Sequence, residues 1–229
     1  MPKYKASLHI HATEDSQEDF RIKYSVYELI DKAYKYGFKV LALTFHNQFY
    51  TNKKYFDYAQ KRGILLISGI EKALYNNHKK TSTSHVIILN CNQQAEKLET
   101  FTDLREYKHN YPQIFTMIAH PFLPLFSLPE KVLLKNLDIF DALEHTWLYN
   151  NLMPYNKKTL EIGKKYNKPV IATGDLHSLK HLDDDYTVIS SSELTVESVI
   201  NSLKQGKFKN VSKGKSLLNL LHSFFVTHF

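Results

Sequence analysis

Residues 7–15 read SLHIHATED, and this stretch indicates both a β-strand of the fold and a pair of histidines that could carry the chemistry. Apolar residues alternate with His9 and His11, which is the period of a β-strand, so we predict a strand from Ala6 to His11. Side chains two residues apart on a strand point to the same side, and both imidazoles should therefore face one side at the end of this strand. Two imidazoles on one side can bind the same metal ion.

Beyond this strand, short apolar runs alternate with amphipathic stretches of helical period, a pattern typical of βα units around a parallel sheet or barrel. The first helix should begin at an N-cap Ser25 with Glu28 completing a capping box, and should end at Gly37. Two apolar runs, Ile70 to Tyr75 and His85 to Asn90, predict a hairpin inserted into the series. The predicted helices are Ser25 to Tyr36, Asn52 to Arg62, Gln94 to His109, Pro129 to Asn136, Asn156 to Tyr166 and Thr195 to Lys204. The other predicted strands are Val40 to Thr44, Ile64 to Ser68, Ile114 to Ala119, Ile139 to Glu144 and Val170 to Thr173.

The size and composition of the chain favour one barrel-like α/β domain over residues 1–229. About seven βα-type units follow one another without a Gly/Ser/Pro-rich linker, and 229 residues with 43% hydrophobic content can bury one sizeable core. The single cysteine, Cys91, cannot form an intramolecular disulfide, and no apolar leader follows the opening MPKYK. We therefore expect a cytoplasmic protein.

The net charge of +7 is a weak indication of a polyanionic partner. The excess is mostly lysine in a chain rich in Asn, Tyr, Ile and Phe, and Arg-rich or interleaved basic and aromatic stretches are missing. The apolar tail, Ser216 to Phe229, is shorter than the ~20 residues that a transmembrane helix needs. We expect this tail to pack as a terminal helix, with an interface or membrane-surface helix as the alternative.

Histidines and carboxylates recur at the ends of the predicted strands. In parallel α/β folds such residues gather at one edge of the sheet, so positions far apart in sequence can meet in space. Neutral imidazoles with a few carboxylates suit zinc, iron or manganese and not calcium. The pattern therefore predicts a multinuclear metal site and a metal-dependent hydrolase. The strand-end residues are His9, His11, His46, Glu71, His120, Asp175 and His177.

Six ordered motifs over roughly residues 6–180 resemble those of the polymerase and histidinol phosphatase (PHP) domain superfamily. They are SLHIHATED (7–15), LALTFHN (41–47), SGIEKAL (68–74), SHVIIL (84–89), IAHPF (118–122) and ATGDLHS (172–178). The resemblance implies a distorted (β/α)7 TIM-like barrel, two or three divalent ions (Zn, Mn or Fe) and hydrolysis of a phosphate ester through a metal-activated water.

The resemblance also assigns roles to individual residues. One ion would be held by His9, His11, Glu71 and Asp175, a second by Glu71 as a bridge with His85 and His120, and a third by His46 and His177. The imidazoles expected to act in catalysis are His11, His46 and His177.

One position departs from the family pattern, because Thr44-Phe45-His46 stands where members usually read Thr-Asp-His. Asp15 could supply a replacement oxygen ligand, or it could belong to a solvated acidic turn. Glu144, at the end of a predicted strand, could support the ligands from outside the metal site.

The substrate is the least determined feature. A small phosphomonoester or a nucleotide is favoured, nucleic acid is possible but not favoured, and the sequence leaves the oligomeric state open. Two rivals remain: a metal-dependent amidohydrolase in which Glu71 takes the bridging role, and a diverged PHP-like module that binds metal without catalysis.

Overall fold

The computed structural model describes residues 1–17, 22–75, 83–123, 128–147 and 155–214. Its strands are β1 (Lys3–Ser7), β2 (Phe38–Leu43), β3 (Leu65–Tyr75), β4 (Thr83–Leu89), β5 (Phe115–Ile118), β6 (Ala142–His145), β7 (Val170–Ala172), β8 (Asp185–Ser190) and β9 (Phe208–Ser212). Its α-helices are α1 (Val26–Lys35), α2 (Lys53–Gln60), α3 (Phe101–Asn110), α4 (Glu130–Lys135), α5 (Asn156–Lys165) and α6 (Val196–Lys204). Short 3-10 helices cover Gln93–Lys97, Leu137–Ile139 and Leu179–His181.

The strands form one nine-stranded sheet in the order β7-β6-β5-β4-β3-β2-β1-β8-β9. Strands β1 to β3 are parallel to one another, as are β5 to β7, and β4 runs antiparallel to both of its neighbours. Strands β8 and β9 extend the sheet with antiparallel pairing. The sheet curls into a nearly closed barrel, which confirms the distorted TIM-like barrel.

The barrel closes differently at its two ends. At the carboxyl end of the parallel strands, Leu176 pairs with the chain just after β1: His11 N donates to Leu176 O at 3.2 Å, and Leu176 N donates to His9 O at 3.1 Å. At the other end, β8 and β9 lie in the gap between β1 and β7. There the Asn210 side chain accepts from Ala172 N at 2.9 Å and donates to Val170 O at 2.8 Å, so an amide replaces a strand pairing.

An apolar cluster fills the barrel below this carboxyl edge. Inward-facing residues of β2 to β5, among them Val40, Ile67, Ile87 and Met117, are fully or almost fully buried in it. Two further clusters pack the helices against the outside of the sheet. The polar residues at the carboxyl edge therefore lie on a rigid apolar base.

Most predicted elements are confirmed, including the Ser25–Glu28 capping box at the start of α1 and the left-handed Gly37 (φ +74°) after its end. The hairpin is also confirmed, but its first arm joins the preceding strand in the 11-residue β3. The first predicted strand, Ala6 to His11, overlaps β1 only in part, because β1 runs from Lys3 to Ser7 and beyond it Ile10 makes an isolated bridge to Leu176.

The predicted helix from Gln94 to His109 is two helices. The chain between them turns extended because Tyr75 N donates to Glu99 O at 2.7 Å, so pairing with β3 overrides helical propensity. Strands β8 and β9 were not predicted. The apolar tail lies outside the described residues, and within the described part of the chain no helix is long and apolar enough to cross a bilayer.

Candidate metal centre

Four polar side chains from three strand ends converge at the carboxyl edge of the barrel. His9 and His11 follow β1, Glu71 lies on β3 and Asp175 follows β7, and one ligand atom of each lies within 4.8 Å of the others. Both imidazoles and Glu71 are buried from solvent. The residues of the predicted first ion site are thus brought together in space at one edge of the barrel.

The spacing of these four atoms fits a cation better than hydrogen bonding. His9 Nε2 lies 3.1 Å from Glu71 Oε2 and 3.3 Å from Asp175 Oδ1, and His11 Nε2 lies 3.2 and 3.4 Å from the same two oxygens. Ligands about 2.1 Å from one ion stand roughly 3.0–3.4 Å apart. Yet His9 Nε2, His11 Nε2 and Glu71 Oε2 are buried and make no hydrogen bond within the described residues. Buried polar atoms without partners are rare, and a shared cation would satisfy all three.

The second oxygen of Glu71 faces another pair of histidines. Glu71 Oε1 lies 2.8 Å from His85 Nδ1 and 3.3 Å from His120 Nε2. His85 is the third residue of β4, and this antiparallel strand starts at the edge where the parallel strands end. Glu71 therefore has its two oxygens toward two histidine pairs, the arrangement that a bridging carboxylate needs.

Comparison with known proteins gives the same family as the motifs. The PHP domain model matches residues 7–136. The chain belongs to the PHP domain family. It is 26% identical over 249 residues to the DNA polymerase III subunit alpha of Aquifex aeolicus, a match that covers 91% of this chain and 21% of the polymerase subunit. The chain thus spans about a fifth of the length of that relative.

Two solved structures share the fold at low identity. One is a two-domain protein from Bacteroides vulgatus that contains a predicted PHP-like metal-dependent phosphoesterase, with a TM-score of 0.64, 18% identity, and coverage of 98% of this chain and 69% of that chain. The other is an amidohydrolase from Chromobacterium violaceum, with a TM-score of 0.53, 14% identity, and coverage of 75% of this chain and 87% of that chain. This PHP domain therefore shares its fold with both proteins and has a His/Glu/Asp cluster suited to divalent ions.

Asp15 contacts the imidazoles of this PHP domain on the side away from Glu71. Its Oδ2 lies 2.8 Å from His11 Nδ1 and 2.9 Å from His46 Nδ1, and it accepts from His46 N at 2.9 Å. An ionised carboxylate only accepts, so both Nδ1 atoms carry a hydrogen, and both Nε2 atoms keep a lone pair when the imidazoles are neutral. His46 Nε2 lies 3.1 Å from Glu71 Oε2. Asp15 thus turns two imidazoles toward Glu71.

The departure at Phe45 does not place a ring in the cluster. Phe45 is fully buried in the apolar layer between barrel and helices, where its ring centroid lies 5.2 Å from that of Tyr50. Its main-chain carbonyl accepts from Glu71 N at 3.1 Å. Position 45 therefore supports Glu71 through the backbone, while the carboxylate beside His46 comes from Asp15.

His177 is close to the cluster but is held differently. Its ring lies 4.6 Å from that of His11 and 6.3 Å from that of His46, measured between centroids. His177 Nδ1 donates to the Asp175 main-chain carbonyl at 2.9 Å, which leaves a lone pair on Nε2. Among the described residues, His177 and His46 do not share a third ligand.

Two ligand positions have backbone conformations that L-residues rarely adopt. His120 has φ +28° and Asp175 has φ +40°. Such strain persists only where the surrounding structure enforces it, and it concentrates at functional sites. Tyr24 holds the second of these loops, because its hydroxyl donates to Leu176 O at 2.7 Å.

The charges of the cluster are balanced by protons when no cation is bound. Burial lowers the pKa of His9, but the carboxylates of Glu71, Asp175 and Glu144 outweigh burial and raise the pKa well above 6.5. Burial also lowers the pKa of His11. Hydrogen bonding to Asp15 is the largest of the causes that outweigh burial and raise this pKa well above 6.5. Burial acts to raise the pKa of Glu71, yet the surrounding imidazoles hold it well below its usual range. The site therefore attracts positive charge.

Glu144 on β6, Trp147 just after β6 and Thr173 just after β7 support the predicted ligands from outside the cluster. Glu144 Oε1 lies 2.7 Å from His9 Nδ1, and Glu144 Oε2 accepts from His120 N at 2.6 Å. Thr173 donates to Glu144 Oε1, and Trp147 Nε1 donates to Asp175 Oδ2 at 3.4 Å. Sequence reasoning missed Thr173, although its position two residues before Asp175 was a usable signal. No comparable signal pointed to the bond of Trp147 to Asp175.

Proposed function

We propose that this chain is a metal-dependent phosphoesterase that hydrolyses a phosphate ester at a site of two or three divalent ions, with manganese, zinc or iron as candidates. The observation that carries the proposal is the convergence of three buried, unsatisfied ligand atoms of His9, His11 and Glu71 with Asp175. Adjacent divalent ions, when bound, lower the pKa of a water toward neutrality and neutralise phosphoryl oxygens.

The residues of the cluster would have three roles: binding a first ion, binding a second ion and orienting imidazoles. His9, His11, Glu71 and Asp175 would hold the first ion, and Glu71 with His85 and His120 the second. Asp15 would fix the tautomers of His11 and His46, so that their Nε2 lone pairs face Glu71.

His46 and His177 are the candidates for a third ion. The Nδ1 hydrogen of His177 is engaged by a carbonyl, and burial lowers its pKa to about 4, so the imidazole stays neutral and its Nε2 suits a metal ligand. This geometry does not suit donation of a proton to a leaving group from Nε2.

An anionic substrate follows from the proposed ions. Two divalent ions would balance the charge of Glu71, Asp175 and the two further carboxylates at the cluster, Asp15 and Glu144, so a phosphate group would be held by direct contact with the ions and not by an excess of site charge. A small phosphomonoester or nucleotide is the favoured class. Because the chain is similar to a region of a polymerase subunit, single-stranded nucleic acid is also a candidate substrate to be assayed.

The test compares the wild-type chain with His9→Ala/His11→Ala and with His109→Ala, a matched control that removes an exposed histidine. Each protein is loaded with Mn²⁺ or Zn²⁺, analysed for bound metal, and assayed on phosphomonoesters, nucleotides, phosphodiesters, oligonucleotides and amide substrates. The wild type and the control should bind metal and hydrolyse at least one of the phosphate esters, and the double variant should do neither.

Two results would contradict the proposal in different ways. Bound metal with turnover of amides alone would make the chain an amidohydrolase. Bound metal without turnover on any ester or amide would favour a metal-binding module without catalysis.

A further inference from the structure

We infer that Glu144 is a positioning residue that couples the two ion positions, because its two oxygens hold a ligand of each. The inference rests on the proposed metal centre and extends it to a strand, β6, that supplies none of the proposed ligands. Glu144 is buried, with only 1% of its surface exposed, so its contacts are with the protein and not with bulk water.

The first oxygen fixes an imidazole. Glu144 Oε1 lies 2.7 Å from His9 Nδ1, which must donate to it, and this leaves the His9 Nε2 lone pair facing Glu71 and Asp175. Thr173 donates to the same oxygen and so holds the carboxylate in place. A carboxylate behind a ligating histidine sets its tautomer and orientation, and raises its basicity.

The second oxygen fixes a backbone. Glu144 Oε2 accepts from His120 N at 2.6 Å, and His120 has a left-handed φ of +28°. This bond helps to hold the strained residue whose Nε2 lies 3.3 Å from Glu71 Oε1. One rigid carboxylate therefore spans a ligand of the first ion and a ligand of the second.

Replacement by an amide cannot preserve both contacts. A glutamine has one acceptor oxygen, and its NH2 group would face either the Nδ1 hydrogen of His9 or the N–H of His120. In Glu144→Gln, one of these two groups loses its acceptor. Loss of either contact should also disturb the other ion position, because the two contacts share the Glu144 side chain and the two ion positions share Glu71.

The variants that test this role are Glu144→Gln, Thr173→Val and Thr173→Ser. Thr173→Val removes one donor to Glu144 but keeps the carboxylate, and Thr173→Ser keeps the hydroxyl. Metal-free protein is titrated with Co²⁺ below its unfolding temperature. The readouts are bound cobalt per chain, the visible absorption of cobalt, and quenching of Trp147, the chain's only tryptophan, whose indole N–H bonds to Asp175.

We expect Glu144→Gln to weaken cobalt binding about 10–100-fold at both positions and to change the cobalt spectrum. Thr173→Val should have a smaller effect in the same direction, and Thr173→Ser should restore the wild-type affinity. Wild-type affinity and spectrum in folded Glu144→Gln would overturn the inference, as would weakening at one position alone. A wild-type chain that binds no cobalt would instead overturn the proposed metal centre. Should Glu144→Gln fail to fold, the contrast between Thr173→Val and Thr173→Ser decides, and equal affinities in those two would overturn the inference.

Discussion

At the residue scale, the cluster depends on which nitrogen of each histidine is free. His9 and His11 both have a carboxylate against Nδ1, Glu144 in one case and Asp15 in the other, and both leave Nε2 toward Glu71. The two residues are two apart in sequence, but the carboxylates that orient them come from different parts of the chain. The orientation of the two imidazoles therefore depends on one carboxylate four residues after His11 and on another from β6.

The orienting role of Asp15 predicts a specific phenotype for Asp15→Asn. The amide has a single oxygen, and it would have to serve both the imidazoles and Gln17 N, which donates to Asp15 Oδ1 at 3.1 Å. We expect metal affinity to fall about 10–100-fold while the number of ions bound at saturation stays the same. Equilibrium dialysis with metal analysis measures both quantities.

Glu14→Gln is the matched control for that variant. Glu14 accepts from Tyr55 OH at 2.8 Å and does not contact His11 or His46, and a glutamine keeps an acceptor. Its affinity should equal that of the wild type. Loss of one whole ion in Asp15→Asn would instead identify Asp15 as a direct ligand.

The residue scale is also where sequence reasoning met its limit. The motifs identified every member of the cluster that converges on Glu71. The binding of metal by these side chains stays a prediction. The sequence could not separate a ligand from a residue that orients a ligand, because Asp15 and Glu144 differ from Glu71 only in which atoms they face. It also could not place Phe45, whose orientation depends on tertiary packing.

At the element scale, the seven barrel strands contribute different kinds of residue to the cluster. Six of them carry predicted ligands at or near their ends on one edge, while β6 carries Glu144 and leads into Trp147. The antiparallel β4 was recognisable as part of a hairpin, but its consequence for His85 required the sheet order. Strands β8 and β9 were missed because their pairing is set by the gap they fill between β1 and β7.

Closure of the barrel by the Asn210 amide predicts a loss of stability in Asn210→Ala. The variant removes the acceptor of the buried Ala172 N and the donor to Val170 O. Because Asn210 is exposed, water can replace part of the interaction, and we expect a loss of about 1 kcal/mol in the free energy of unfolding. Chemical denaturation measures it.

Lys209→Ala, which changes the neighbouring exposed residue of the same strand, is the control and should unfold like the wild type. Equal stability of Asn210→Ala and the wild type would show that the amide does not contribute to closure. Metal binding should be unchanged in both variants, since neither side chain lies at the carboxyl edge.

At the scale of the whole molecule, the fold and family were predictable from the sequence because strand periodicity and six ordered motifs agree. That residues 1–229 form one domain stays a prediction. The least predictable property is the charge balance of the buried cluster, since it depends on all its members at once.

This charge balance predicts opposite pH dependence for the metal-free and metal-loaded chain. Burial and neighbouring carboxylates together leave the pKa values of His9 and His11 above 6.5, so their contribution to stability is complete below about pH 6.5 and is lost as pH rises toward those higher values. Metal-free protein should therefore lose thermal stability as pH rises above about 6.5. Added Mn²⁺ or Zn²⁺ replaces the protons, so its stabilising effect should grow over the same range.

Thermal unfolding in a chelator and in excess metal, measured across this pH range, tests the linkage. Chelator data that stay flat with pH would show that the histidines are not held protonated by the carboxylates. A metal effect that shrinks as pH rises would show that the ions bind elsewhere.

The central claim is that the four converging side chains hold a divalent ion, and anomalous X-ray diffraction from crystals grown with Mn²⁺ or Zn²⁺ tests it most directly. An anomalous peak is expected about 2.0–2.3 Å from four atoms: His9 Nε2, His11 Nε2, Glu71 Oε2 and Asp175 Oδ1. Crystals saturated with metal that show no peak among these four atoms would contradict it.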